Sequence, residues 1–211
     1  SQTRKNLRMS WLPEHGFAVA SIEYRWSQEA VFPAQIHDCK AGVRWLRAHA
    51  DDYGYDATRI VVAGGSAGGM LAMLLGLSAG HPELEGTVGG NLGHSSAVDG
   101  IIDYYGPFDL ALRARLNPAR HLEPGGPTFQ LLDGNRLGHP DPSWERLASP
   151  VNHVDDDAPP ILVFQGRADT RVLAVHAERI EEVYAAHGRP CSAHYLDDGV
   201  HGDQRLFEEP Y

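Results

Sequence analysis

Apolar positions recur along the chain with two periods that take turns, near two and near 3.6. Residues 17–25 (FAVASIEYR) form a short run rich in strand formers. In residues 34–54 (AQIHDCKAGVRWLRAHADDYG), Ile36, Cys39, Val43, Leu46 and Ala50 fall at steps of three or four, which lines them along one face of a helix. Pro33 suits the start of that helix, and Gly54 the end of the segment beyond it. RIVVAG (59–64) is nearly continuous in apolar character, as a strand covered on both faces must be. Residues 67–80 (AGGMLAMLLGLSAG) predict a helix and 98–106 (VDGIIDYYG) a strand. PPILVFQG (159–166) is a further strand, VLAVHAERIEEVYAAHG (172–188) an amphipathic helix, and SAHYLDD (192–198) a last strand. The opening KNLRMSWLPEHG (5–16) reads as the tail of a helix. Strands alternating with helices of this length specify an α/β protein, a three-layer sandwich around a mostly parallel sheet.

One stretch breaks the rhythm. Residues 107–157 carry Pro118, Pro124, Pro127, Pro140, Pro142 and Pro150 with glycines between them, and support only short helical pieces. That is longer than a simple connection between strand and helix requires. We expect one domain over residues 1–211, with 107–157 inserted over the carboxyl edge of the sheet as a lid or pocket wall. Trp144, Phe129 and Phe108 lie in it or at its mouth, available either to a pocket or to the core.

Composition narrows the choice of partner. Acidic residues exceed basic ones to give a net charge of −10, which argues against a nucleic-acid backbone or an anionic membrane as main partner. No apolar run is long enough for a membrane span, and the polar, basic start is no signal peptide. A soluble protein is expected, cytoplasmic or secreted. Cys39 and Cys191 are too few for a disulfide framework and are expected as separate thiols. The twelve histidines are scattered without HExxH or a tight His-Cys cluster, so neither a metal nor another cofactor is expected.

The chemistry concentrates in GGSAG, residues 64–68, between a predicted strand and a predicted helix. A serine lifted above the sheet edge on such a turn needs very small neighbours, and Gly64 and Gly68 let strand and helix approach. The Ala67 amide, at the helix N-terminus, points where an oxyanion would form. Ser66 is therefore the candidate nucleophile. A phosphate loop is excluded by the absence of G-x-G-x-x-G and of a P-loop lysine. A purely structural close-packing turn is the plain alternative.

A nucleophile needs partners, and two stand in the right places. Asp169 follows the strand ending at Gly166, and His201 follows the last strand in a glycine-flanked loop. Loops leaving the carboxyl ends of parallel strands are where such sheets place function. The aspartate can hold an imidazole in one tautomer, and the order Ser66, Asp169, His201 is nucleophile, acid, histidine. Asp169 as a helix cap and His201 as an ordinary histidine are the duller readings, and Asp197 or Asp198 the alternative acids.

With these residues in hand, the chain resembles the α/β-hydrolase carboxylesterases, near the hormone-sensitive-lipase-like and acetylxylan or feruloyl esterase-like bacterial groups. The resemblance runs from "VASIEYRWSQEAVFPAQIHDCKAGVRWLRAHADDYGYDATRIVVAGGSAGG" through "IIDYYGPFDL" and "ILVFQGRADTRV" to "DDGVHG", nearly the whole chain. It implies Ser66 as nucleophile, His201 as general base, Asp169 as orienting acid, no cofactor, and an ester substrate, small or linked to polysaccharide. It also implies that Tyr24, Arg25 and Asp38 brace the turn and helix beneath the site. The family's H-G-G-G-like oxyanion segment has no counterpart here, so the resemblance implies N-terminal strands and an oxyanion loop missing ahead of residue 1. An N-formyl aryl amide hydrolase is the nearest alternative chemistry, and a non-catalytic binding protein of the same fold the alternative from another class.

Overall fold

A computed structural model of the protein describes residues 9 and 11–208. Four strands form one sheet in the order β1-β2-β3-β4, every neighbouring pair parallel. They are β1 (Val61–Gly65), β2 (Gly100–Tyr104), β3 (Ile161–Gly166) and β4 (Cys191–Leu196). The helices in chain order are α1 (Ala34–Ala48), α2 (Ala50–Tyr53), α3 (Ala67–Leu77), α4 (Pro82–Glu85), α5 (Leu110–Leu116), α6 (Pro118–His121), α7 (Pro127–Leu131), α8 (Gly134–Leu137), α9 (Pro142–Ala148) and α10 (Val175–Ala186). The chain thus has the α/β architecture around a parallel sheet that its pattern predicts.

The period of two decides which side each strand residue faces. Ile101, Ile161 and Val163 join Met73, Leu77, Ala177, Ile180 and Tyr184 in a core between the sheet and helices α3 and α10. A second cluster packs Ile36, Cys39 and Val43 of α1 against Met70, Leu71 and Leu74 of α3. α3 is buried almost all round, which is why its sequence reads as continuous apolar residues rather than a stripe. On the opposite face of the sheet, Tyr104 stacks on Phe164 and Phe207, with Leu206 of the 3-10 turn Gln204–Phe207 buried beside them.

Residues 17–25 depart from expectation: they run extended but belong to no strand. Burial alternates only in the second half, where Ile22 and Tyr24 are half-buried while Ser21, Glu23 and Arg25 are exposed. Ile22 lies over α1, where a Cβ added at Gly42 would come within 2.8 Å of its Cδ1. The apolar run predicted burial only in part, since Phe17 and Val19 are exposed, and a strand also needs a hydrogen-bonded neighbour, which sequence pattern does not reveal. Of the predicted N-terminal helix tail, residues 5–8 and 10 lie outside the described residues, and Leu12–His15 is a 3-10 turn. Arg25 grips Asp38 of α1 through its backbone amide, Nε and Nη2 at 2.8–2.9 Å, which fixes the chain as it enters α1.

Residues 107–157 fold into the five short helices α5–α9 and a 3-10 turn at Pro150–His153. Asp109, Asn117 and Asp141 each cap a helix by accepting backbone amides. Phe108 is fully buried in the core under the sheet, and Phe129 is 6% exposed. Trp144 packs half-buried on the α1–α3 cluster. Of the two readings open for these aromatics, the structure selects the core. Cys39 and Cys191 are both free thiols. Among the described residues no helix is long and apolar enough to cross a membrane.

Candidate active site

β1 ends at Gly65, and the next residue, Ser66, takes a left-handed backbone (φ 57°, ψ −119°) as it becomes the N-cap of α3. Such a conformation is costly for a residue with a side chain, and it turns the chain sharply from strand into helix. Two hydrogen bonds hold the turn. The Ser66 amide donates to the Tyr104 carbonyl at 2.9 Å, and the Met70 amide donates to the Ser66 carbonyl at 3.1 Å. Gly64 is obligatory, because a Cβ there would sit 2.2 Å from the Gly68 carbonyl oxygen.

Three loops at the carboxyl edge of the sheet converge on the Ser66 side chain. The ring of His201 places Nε2 2.9 Å from Ser66 Oγ and Nδ1 2.7 Å from Asp169 Oδ2. The other oxygen of Asp169 accepts the amides of Arg171 at 2.7 Å and Val172 at 3.0 Å. An ionised carboxylate only accepts, so the Nδ1–H donates to it and leaves Nε2 free to accept the serine hydroxyl proton. Asp197 and Asp198 stand elsewhere: both are exposed, and they pair with Arg167 and Arg205.

These residues occur in a chain whose relatives are known by sequence and by structure. Residues 2–183 match the family model for BD-FAE. The chain belongs to the BD-FAE family, within the α/β-hydrolase carboxylesterases. It is 32% identical over 174 residues to Esterase LipC of Mycobacterium tuberculosis, covering 82% of this chain and 42% of that protein. Its fold is similar to that of a truncated carbohydrate esterase from gut microbiota, with a TM-score of 0.76 and 32% identity over 88% of this chain and 67% of the other. It is also similar to an acetyl ester-xyloside bifunctional hydrolase from Caldicellulosiruptor lactoaceticus, with a TM-score of 0.69 and 27% identity over 85% and 61% of the two chains. The chain spans 36–42% of the length of the curated relatives that match it over most of its own length.

The electrostatics of this BD-FAE chain agree with the proton arrangement. Burial alone would raise the Asp169 carboxyl. The hydrogen bond from His201 and the amides of Val172 and Arg171 outweigh it and hold the group below the ordinary carboxylate range. The acid loop and the histidine loop touch directly. A Cβ at Gly166 would lie 2.2 Å from the Gly199 carbonyl oxygen, and the Ala168 amide donates to that same oxygen at 3.0 Å. Arg113 of α5 donates to the Arg171 carbonyl at 3.1 Å, joining the 107–157 segment to the loop that carries Asp169.

Ala67 is exposed at the start of α3, with its amide in the first turn, where the helix leaves backbone donors unpaired. Gly68 corrects an expectation, since a methyl group there would meet no described heavy atom within 4 Å. The helix turns that position away from the sheet and turns Gly69 toward it. A Cβ at Gly69 would strike Asp103 Oδ1 at 2.2 Å. Asp103 itself escaped notice in the sequence, because a single acid inside IIDYYG gives no sign of its burial. It is 1% exposed, and burial pushes its carboxyl up to about 7 against the opposing hydrogen bond from the Gly106 amide. Tyr105, also unremarked, has a left-handed backbone (φ 48°) and sits edge-on to the His201 ring.

Proposed function

We propose that this protein is a serine carboxylic-ester hydrolase that uses Ser66, His201 and Asp169 as its catalytic triad. One observation carries the reading: an unbroken hydrogen-bond chain from Ser66 Oγ through both ring nitrogens of His201 to Asp169, assembled across 135 residues of sequence. His201 takes the hydroxyl proton as Ser66 Oγ attacks the ester carbonyl, and Asp169 stabilises the imidazolium that forms. The Ala67 amide donates to the oxyanion; one such donor is worth about 3–4 kcal/mol of transition-state stabilisation. His201 then protonates the leaving alcohol, and a water repeats the sequence on the acyl-enzyme.

The substrate is a small or medium acyl ester, with acetyl or feruloyl esters of plant polysaccharide as the preferred class. The carbohydrate esterase and the acetyl ester-xyloside hydrolase among the structural relatives support this. The 107–157 segment is the pocket wall of this proposal, tied to the acid loop through Arg113.

Intact-mass labelling with a fluorophosphonate tests the nucleophile. A single adduct is expected, absent in Ser66→Ala and strongly slowed in His201→Ala. A folded protein that takes no adduct would be a binding protein and ends the esterase reading. Turnover of p-nitrophenyl acetate set against N-formylkynurenine tests the substrate class, and a preference for the formamide replaces the ester.

A further inference from the structure

Ser66 and Tyr105 occupy matching places in neighbouring strands. Gly65 and Tyr104 are partners in the β1–β2 register, and Ser66 and Tyr105 are the residues that follow them. Both have left-handed backbones, with φ of 57° and 48°. For a bulky aromatic residue that conformation is an outlier that the surroundings must enforce. Here the Tyr105 amide donates to the Phe164 carbonyl at 2.9 Å, which pins the residue to the end of β3.

The strained backbone aims the phenol inward between the serine and histidine loops. The side chain is buried, with the whole residue 4% exposed. Its ring lies 4.9 Å from the His201 ring at an interplanar angle of 63°, and Phe207 backs it at 6.2 Å. Its hydroxyl occupies the space a side chain at residue 65 would need, 3.1 Å from a Cβ built on Gly65. The same oxygen is 4.0 Å from a Cβ built on Gly202. Gly65 precedes the nucleophile and Gly202 follows the histidine, so one buried side chain, with its ring on His201, lies between the two loops that bring Ser66 and His201 together.

We propose that Tyr105 is a positioning residue for this reaction: its ring holds the His201 imidazole against Ser66 and Asp169 and keeps water from the ring. The proposal rests on the triad reading above. Ser66 and Asp169 bond its two nitrogens, Tyr105 covers one flank, and Asp203 and Arg205 of its own loop pair with each other. Without the phenol, His201 gains rotational freedom and hydration. A ring free to rotate spends less time with Nε2 aimed at the serine hydroxyl, so the loss falls on kcat rather than on substrate binding.

The test is kcat and KM on p-nitrophenyl acetate for the wild type, Tyr105→Phe, Tyr105→Gly, Tyr105→Asn and Ser66→Ala. Glycine and asparagine accept a positive φ, so these variants remove the ring without adding backbone strain. The expected result is a loss of roughly 10-fold or more in kcat for the Gly and Asn variants. KM stays within about threefold, and Tyr105→Phe recovers most of the loss. Folded Gly or Asn variants with near-wild-type kcat, or with a loss that falls on KM instead, overturn the proposal. So does a Phe variant as impaired as they are, and that outcome is readable even if the Gly and Asn variants fail to fold. Residual turnover in Ser66→Ala would instead sink the triad reading, and the two failures are told apart by that control.

Discussion

Replacing Asp169 with asparagine exchanges one carboxylate oxygen for an NH2 group, removing the charge with almost no change of shape. The carboxylate bridges two kinds of donor, accepting the Arg171 and Val172 amides on Oδ1 and the His201 Nδ1–H on Oδ2. An asparagine must keep its oxygen toward the two amides, since turning the NH2 group there would oppose donor to donor. The NH2 then faces Nδ1, which has to become an acceptor, and the imidazole proton moves to Nε2. In that tautomer the ring donates toward Ser66 Oγ and cannot take its proton. A wrong tautomer of this kind costs about 10⁴-fold in kcat, or about 5.4 kcal/mol at 1.36 kcal/mol per decade. The fold loses far less, because three charge-assisted hydrogen bonds become neutral ones at a total of about 1–3 kcal/mol. Asp169→Asn is therefore expected to melt cooperatively, bind substrate with a KM near that of the wild type, and turn over p-nitrophenyl acetate about 10⁴-fold more slowly. Asp169→Ala should melt lower still, since it leaves those donors buried and unpaired. If Asp169→Asn keeps kcat within about tenfold of the wild type, the tautomer argument is wrong and another group orients His201.

Further predictions concern the scaffold. Gly64→Ala drives a methyl group into the Gly68 carbonyl and should cost at least about 3 kcal/mol, while Gly68→Ala meets open space and should leave Tm within about 2 °C; similar melting curves for the two would refute the packing argument. Lys40 is fully buried and donates to Glu85 Oε1 at 2.7 Å and to the Ser78 carbonyl. Glu85 keeps the Ser96 hydroxyl and the Gly80 amide as other partners. Lys40→Ala should therefore cost about 2–4 kcal/mol, or roughly 4–16 °C in Tm, and an unchanged Tm would show the pair to be dispensable. Asp103 has a carboxyl raised to about 7, so its contribution to stability is complete below the unfolded value and is lost as pH rises through 7. Asp169 is depressed, so its contribution holds above the unfolded value and is lost as pH falls through the folded one. Urea titrations from pH 4 to 8 should show Asp103→Asn escaping the loss on the alkaline side; parallel pH profiles for variant and wild type would place the Asp103 titration elsewhere.

The local rules carried far in this chain. Near-continuous β-branched and apolar runs at 61–65 and 161–166, each ending in glycine and leading on to an amphipathic or apolar helix, specify parallel strands from sequence alone. The small residues around Ser66 specify the turn that lifts it, because any side chain at Gly64 collides with the helix it introduces. The order of serine, aspartate and histidine was legible for the same reason, each following a strand whose carboxyl end must meet the others. Tertiary structure decided what depends on a partner far away in sequence. Residues 17–25 are rich in strand formers, but pairing requires a second backbone at hydrogen-bonding distance, and here only Ile22 and Tyr24 are partly buried, Ile22 against α1. Phe108 and Phe129 read as pocket or core with equal ease until burial assigns them to the core. Asp103 and Tyr105 sit side by side with ordinary strand residues in IIDYYG. The raised carboxyl of the one and the left-handed backbone of the other arise from α3, β3 and the His201 loop closing around them. Sequence determines the conformation a segment prefers, whereas desolvation, strain and proton sharing exist only once distant segments share the same few ångströms.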